Sequence, residues 1–322
     1  MDAGRLSSPL MEARMRAVLL SALVFAFAGV AAAQQEPDPQ ADLSVAHPAF
    51  RHNDPEPAPR VAIDGGHNNF HTADGRYAPF AQLLRNNGMR AVGATGTIDD
   101  DYLATVEVLV IVNPLAAVNA PDHWELPTPS AFTPAEIQTI HGYVESGGSL
   151  LLIADHMPFA GAVHDLAASF GVEFENGFAF SSPPGPQRPD LFTRENGRLG
   201  DDPIFANVHQ VRTFTGSAFR VNEEATGYPV HPILRLDSTW RVYEPRVAWE
   251  FDASTPNVSG DGLLQGALIE YGSGRLAVFG EAAMFTAQVA GPQRNPMGLR
   301  AEGAEENKQF ALDVVNWLAH AD

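Results

Sequence analysis

Val106-Glu107-Val108-Leu109-Val110-Ile111-Val112 is almost wholly apolar and rich in β-branched side chains. A run with no polar alternation suits a strand covered on both faces, as in a parallel sheet flanked by helices. The neighbouring stretches repeat the signal. Upstream, Arg60-Val61-Ala62-Ile63-Asp64 is a short apolar run ending in a polar residue and Gly65-Gly66, which predicts a buried first strand. Tyr77, Phe80, Leu83 and Leu84 then recur at helical spacing up to Gly88, and Arg90 to Ala94 forms a second strand. Downstream, Thr133 precedes Pro134 with Glu136 at the third helical position, the grammar of a capping box. Ile137, Ile140 and Val144 make its inward stripe, Gly147-Gly148 stops it, and Ser149 to Ala154 is the next buried strand. A further helix is expected from about Phe159 to Phe170. Strands alternating with helices predict an α/β domain on a doubly wound, mostly parallel sheet.

The rest of the chain is patterned differently. From Val172 to Val258 prolines, short alternating runs and aromatic residues predict an irregular insertion of antiparallel strands and loops. Leu263 to Tyr271 and Arg275 to Gly280 flank Gly272-Ser273-Gly274, a hairpin signal. An amphipathic helix from about Glu302 to His320 closes the chain, with Phe310, Val314, Trp317 and Leu318 inward. At the other end, Arg14 and Arg16 precede an apolar run from Ala17 to Val30 and the small residues Ala31-Ala32-Ala33. This is the pattern of a cleavable signal peptide over residues 1–33, predicting a periplasmic or secreted product with no membrane insertion after cleavage. Residues 34–59, rich in Pro, Asp, Glu and Gln, form a linker or an arm over the surface. The domain itself spans 60–320, with 172–258 as the insertion.

Composition excludes several functions. The formal charge is −19, from 20 basic and 39 acidic residues, and such a field repels phosphate backbones, so nucleic acid is not an expected partner. With no cysteine, disulfides, thiolate metal sites and cysteine nucleophiles are all removed. There is no Gly-x-Ser-x-Gly elbow, no phosphate-binding loop and no Gly-x-Gly-x-x-Gly turn after the first strand.

Ligands of open parallel sheets bind outside the carboxyl ends of the strands. Asp64, His67, Asn68, Asn69 and His71 follow the first strand, and Asn113 follows the central one. Asp155 and His156 follow the next, and Glu281 follows the strand of the late hairpin. Two chemistries fit these residue types. Asp64, His67, His71 and His156 are candidate ligands for a divalent metal that activates water, and Asp155 and Glu281 are candidate catalytic carboxylates. The same carboxylates can serve acid/base chemistry without metal, one raised in pKa beside the other. Asn68 and Asn113 are candidate ligand-binding groups. The spacing of His67 and His71 matches the paired ligands of a zinc-peptidase helix, yet Asn68 stands where that motif needs glutamate. Capping of a following turn explains Asp64 or Asp155 as well. Trp124, Trp240, Tyr243 and Trp249 are available to stack on sugar rings or to pack in the core or a lid.

The run from Val61 to His71, the Gly147-Gly148 turn into Leu151-Leu152-Ile153-Ala154-Asp155-His156, Gly280-Glu281-Ala282-Ala283-Met284-Phe285, and Asn307 to Leu318 together resemble an uncharacterised branch of the class I glutamine amidotransferase-like superfamily. The resemblance covers about Arg60 to Ala319 and implies a flavodoxin-like three-layer sandwich. Working members use a cysteine at a strand-to-helix elbow. Here Asp155 and His156 stand at roughly that place and no cysteine exists, so glutamine hydrolysis by that route is excluded. The expectation is an exported domain whose strand-end pocket binds a small polar molecule or a divalent metal, with hydrolysis as one version. The alternative is a non-enzymatic module that recognises an envelope glycan or protein.

Overall fold

The computed structural model describes residues 35–51, 57–181 and 190–321. The expected signal peptide lies outside the described residues. In chain order the strands are β1 (Glu36–Pro37), β2 (Arg60–Asp64), β3 (Arg90–Ala94), β4 (Val108–Val112), β5 (Ser149–Ile153), β6 (Val172–Glu175), β7 (Phe178–Phe180), β8 (Asp190–Thr193), β9 (Gln210–Thr213), β10 (Ala218–Val221), β11 (Val230–Arg235), β12 (Arg241–Tyr243), β13 (Asn257–Ser259), β14 (Leu264–Tyr271), β15 (Gly274–Phe279), β16 (Ala287–Ala290) and β17 (Asn295–Gly298). The helices are α1 (Ala78–Asn86), α2 (Asp100–Leu103), α3 (Pro134–Glu145), α4 (Phe159–Ala162), α5 (His164–Ser169), α6 (Glu223–Thr226) and α7 (Asn307–Leu318).

The central sheet runs β3-β2-β4-β5-β15-β14-β10-β6, with β11 also paired to β14. The pairings from β3 through β15 are parallel, and β14, β10, β6 and β11 continue the sheet antiparallel. The architecture is therefore α/β on a mixed, mostly parallel central sheet with small antiparallel sheets around it. The apolar runs are buried on both faces because successive residues alternate sides. Val108, Val110 and Val112 pack with Phe80, Leu83 and Leu84 of α1 and Phe310 and Val314 of α7. Leu109 and Ile111 face the opposite layer, with Ile140 and Val144 of α3 and Leu166 of α5. The hairpin of β14 and β15 forms around Gly272, whose φ of 61° suits glycine.

Thr133 caps α3 with both halves of the capping box in place. Elsewhere the sequence expectation shifts. The helix expected from Phe159 to Phe170 is two short helices, α4 and α5, meeting at Val163. The closing helix starts at Asn307, not Glu302, because Gly303 turns the chain at a φ of 81°. Three strands of the irregular segment, β6, β10 and β11, extend the main sheet. The stretch 35–51 lies over the surface: β1 pairs with β16, Asp38 accepts from Arg300 at 2.5 Å, and the Phe50 N–H donates to the Asn87 carbonyl at 3.2 Å. No helix among the described residues is long and apolar enough to cross a membrane.

Candidate functional site

The strand order reverses between β2 and β4. The connection from β2 leads to β3 on one side, whereas the next strand, β4, lies on the other. The carboxyl ends of such a pair diverge and leave a crevice. Their trailing segments, Gly65 to His71 and Asn113 to Leu115, are bound together there: the Phe70 N–H donates to the Asn113 carbonyl at 2.9 Å, and the Leu115 N–H to the His67 carbonyl at 2.9 Å. On the other side the segment runs close to the turn after β3, where Gly66 is required because a Cβ would lie 2.4 Å from the Gly96 carbonyl oxygen.

Asp64, 1% exposed, organises the first segment. Its carboxylate accepts from the Gly66 N–H at 3.0 Å, the Asn69 amide at 3.0 Å and His67 Nδ1 at 2.9 Å. The other face of His67 meets Glu136, with Nε2 3.1 Å from Oε1, while Glu136 Oε2 accepts from the Thr133 N–H and hydroxyl at 3.0 and 2.8 Å. An imidazole between two carboxylates satisfies both only as a double donor, that is, as imidazolium. Burial pulls His67 toward the neutral form, but the hydrogen bonds and charges of Asp64 and Glu136 outweigh it and hold its pKa above the usual value. Burial pushes Glu136 up, and its bonds to Thr133 and His67 bring it below the usual carboxylate range. The imidazole also packs on Phe132, ring centres 4.4 Å apart. The strand end is thereby fastened to the start of α3.

A second cluster sits under β4 and β5. Asn113, at a φ of 46°, accepts the Asp155 N–H at 2.8 Å through Oδ1 and turns Nδ2 to His71 Nδ1 at 3.1 Å. With Nδ1 accepting, the ring proton belongs on Nε2. Gln288 lies 3.0 Å from Nε2 and its Oε1 has no partner among the described residues, so the neutral ring is satisfied when that amide presents its oxygen. Burial, with the charges of Arg76 and His156 added, holds His71 well below its usual pKa.

His156 donates from Nδ1 to the Met157 carbonyl at 2.7 Å and stacks on Phe178 at 4.4 Å; burial lowers its pKa. Asp155 accepts from the His156 N–H at 3.0 Å, and burial raises its pKa. It retains part of its surface, whereas Glu281 is fully buried. The two Glu281 oxygens accept from the Ala283 N–H at 2.7 Å and the Met284 N–H at 2.8 Å, capping the turn Ala283–Phe285. Burial first, and the Asp155 charge second, raise Glu281 well above its usual value. The buried carboxylate thus finds its partners in its own backbone.

The expected metal set is not brought together. Both nitrogens of His67 and both of His71 are engaged by side chains, and the one bonded nitrogen of His156 faces a carbonyl. Among the described residues no group of three or more His, Asp or Glu is placed to hold a metal ion. The donors of Asp64, His67, His71 and His156 do not fit such an ion. Of the expected ligand-binding pair, Asn113 is buried inside the second cluster, while Asn68 reaches the surface crevice.

That crevice is a cleft of ≈ 850 Å³, within the range of small-ligand sites. Gly65, Asn68, Asn69 and Leu115 form its base at the strand ends, and Phe70, Trp124 and Trp249 bring aromatic rings to its walls. Phe70 meets Trp124 edge to face at 5.2 Å, and the Arg76 guanidinium lies 3.8 Å over the Phe70 ring. Trp249 is held at a φ of 69°, and its indole N–H has no partner among the described residues. Of the four aromatics singled out in the sequence, Trp240 is fully buried and Tyr243 packs against Phe180 and Phe251. Only Trp124 and Trp249 line the cleft. Phe70 and Arg76 belong to it too; Phe70 lies within the marked run from Val61 to His71, and Arg76 lies outside every marked stretch.

No family model matches the sequence, and no curated protein matches it. The fold is similar to that of the mmIFT52 N-terminal domain. The two share 17% identity at a TM-score of 0.55, covering 82% of this chain and 98% of that domain. A cytoplasmic protein of Salmonella typhimurium LT2 is similar at a TM-score of 0.48 and 12% identity over 80% of this chain and 99% of its own. A ThuA-like protein of Bacteroides uniformis ATCC 8492 gives 0.42 and 12% identity over 87% and 95%. These similarities concern fold.

Proposed function

We propose that this chain is an exported, amidotransferase-like domain of flavodoxin-like topology that binds a small ring-shaped polar ligand, a sugar of the cell envelope, in the cleft at the β2/β4 strand ends. The parallel strands, numbered by their order in the chain, run 2-1-3-4-5, the flavodoxin-like order. Export rests on the grammar of residues 1–33; fusing that segment to a periplasmic reporter tests it, and a reporter retained in the cytoplasm counts against it.

The observation that carries the binding reading is the lining of the cleft. Three aromatic rings stand beside amide groups, the combination that recognises sugars by stacking an apolar ring face and hydrogen bonding its rim. Catalysis has less support. Neither Asp155 nor Glu281 lines the cleft, and its one carboxylate, Asp122, is exposed. Tryptophan emission, titrated with soluble fragments of envelope glycans, tests the proposal. Binding is expected to shift the emission in the wild type and not in Trp124→Ala. Emission unchanged by every glycan, or an equal response from the variant, removes it.

A further inference from the structure

Arg76 is a cation without a counter-ion in a chain of net charge −19. Arg194, Arg198 and Arg300 sit on carboxylates, whereas Arg76, like Arg60, Arg85 and Arg275, makes no ion pair among the described residues. Its Nη1 donates to the Phe70 carbonyl at 3.1 Å, and its guanidinium lies over the Phe70 ring. Those two contacts fix the group in place and leave one edge over. Nε is buried without a partner, and Nη2 makes no hydrogen bond among the described residues. Nη2, which is not closed off as Nε is, is the nitrogen left to donate to an anion in the cleft.

The setting strengthens the point. Burial alone accounts for a lowered Arg76 pKa, with no carboxylate near enough to offset it, so the fold holds this charge at a cost that an anionic ligand would remove. The net charge limits how many negative groups the ligand carries, because the field repels polyanions. Arg76 is also set against the aromatic wall, so an anion held there lies beside Phe70 and Trp124. We infer that the sugar bound in the cleft is acidic, a hexuronate whose carboxylate docks on Nη2 of Arg76 while its ring stacks on the Trp124 wall. This rests on the cleft being a sugar site.

The experiment compares oligosaccharides of galacturonate and glucuronate with their methyl esters, which keep the ring and remove the charge. Tryptophan emission and calorimetry are read on the full mature chain. The acid is expected to bind at least ~10-fold more tightly than the ester, since hydrogen bonds to charged groups are the stronger class. The preference should shrink with added salt and vanish in Arg76→Gln. Should that variant fold poorly, the comparison of acid with ester on the wild type still decides. Equal, Trp124-dependent binding of acid and ester overturns the acidic-sugar inference and leaves the sugar site standing. No Trp124-dependent binding of either form, with neutral glycans still bound, also overturns it. If nothing binds through Trp124, the sugar site falls and this inference falls with it.

Discussion

Replacing His67 with leucine tests the fastening between β2 and α3. The side chain is 8% exposed and its partners Asp64 and Glu136 are 1% and 9% exposed, so solvent screens these contacts little. Leucine fills most of the volume against Phe132 but leaves both carboxylates without their cation. Removing one member of a buried charged set costs about 3–5 kcal/mol. Asp64 keeps the Gly66 N–H and the Asn69 amide, and Glu136 keeps Thr133, which places the expected loss toward the lower end. In a domain of this size each kcal/mol moves Tm by roughly 2–4 °C, so the shift is on the order of 10 °C.

The loss should depend on pH in a defined way. His67 has a raised pKa in the folded state, so its contribution is complete below the unfolded value of 6.5 and disappears as pH rises through the folded one. Glu136 has a lowered pKa, so its contribution is present above 4.5 and disappears as pH falls through its folded value. The gap between wild type and His67→Leu is therefore widest between these limits and narrows toward alkaline pH. Urea unfolding of both proteins from about pH 5 to about pH 9 measures it. A gap that is flat with pH, or below about 1 kcal/mol near pH 6, refutes the imidazolium assignment.

Three further outcomes follow from the packing. Glu281→Gln, which keeps one oxygen to accept the cap, should cost less than Glu281→Ala, which strips the cap from Ala283 and Met284 and should cost about 2 kcal/mol or more; equal losses in denaturant unfolding contradict a capping role. Burial raises the Asp190 pKa from 3.8 to about 6, so its ionisation erodes stability as pH climbs through that window, and Asp190→Asn should gain up to roughly 3 kcal/mol at alkaline pH with no gain in acid. A gain in acid, or none in base, argues against this. Gly88 has a φ of 88° and its Cβ would lie 1.8 Å from the Phe50 carbonyl oxygen, so Gly88→Ala should lift the stretch 35–51 and speed its cleavage by added protease; unchanged cleavage would contradict the contact.

The parallel core was readable because its signals are local or doubly redundant. Val108 to Val112 has no polar side to offer solvent, and Thr133 with Glu136 announces the start of α3 without help from elsewhere. The antiparallel extension had no such mark. Val172-Glu173-Phe174-Glu175 alternates as any half-covered strand does, and its place at the sheet edge depends on β10, which is distant in sequence. The break between α4 and α5 was hidden for a related reason: it falls at Val163, where neither glycine nor proline announces it.

At the site, position was readable and partnership was not. The rule that ligands gather beyond parallel strand ends drew attention to Asp64, His67, Asn68 and Asn113, which stand at the ends of β2 and β4, and of these only Asn68 lines the cleft. Counting acids and imidazoles, however, cannot tell a ligand set from a set of groups that neutralise one another. Glu136 carries that ambiguity most clearly, since the sequence marks it as a helix cap and the same carboxylate also closes the charge on His67. What remains unneutralised is Arg76, six residues beyond Phe70 and outside every motif. In so acidic a protein the informative group at the cleft is a cation that finds no acid among the described residues, and it comes to notice only when the contacts of the cleft lining are traced.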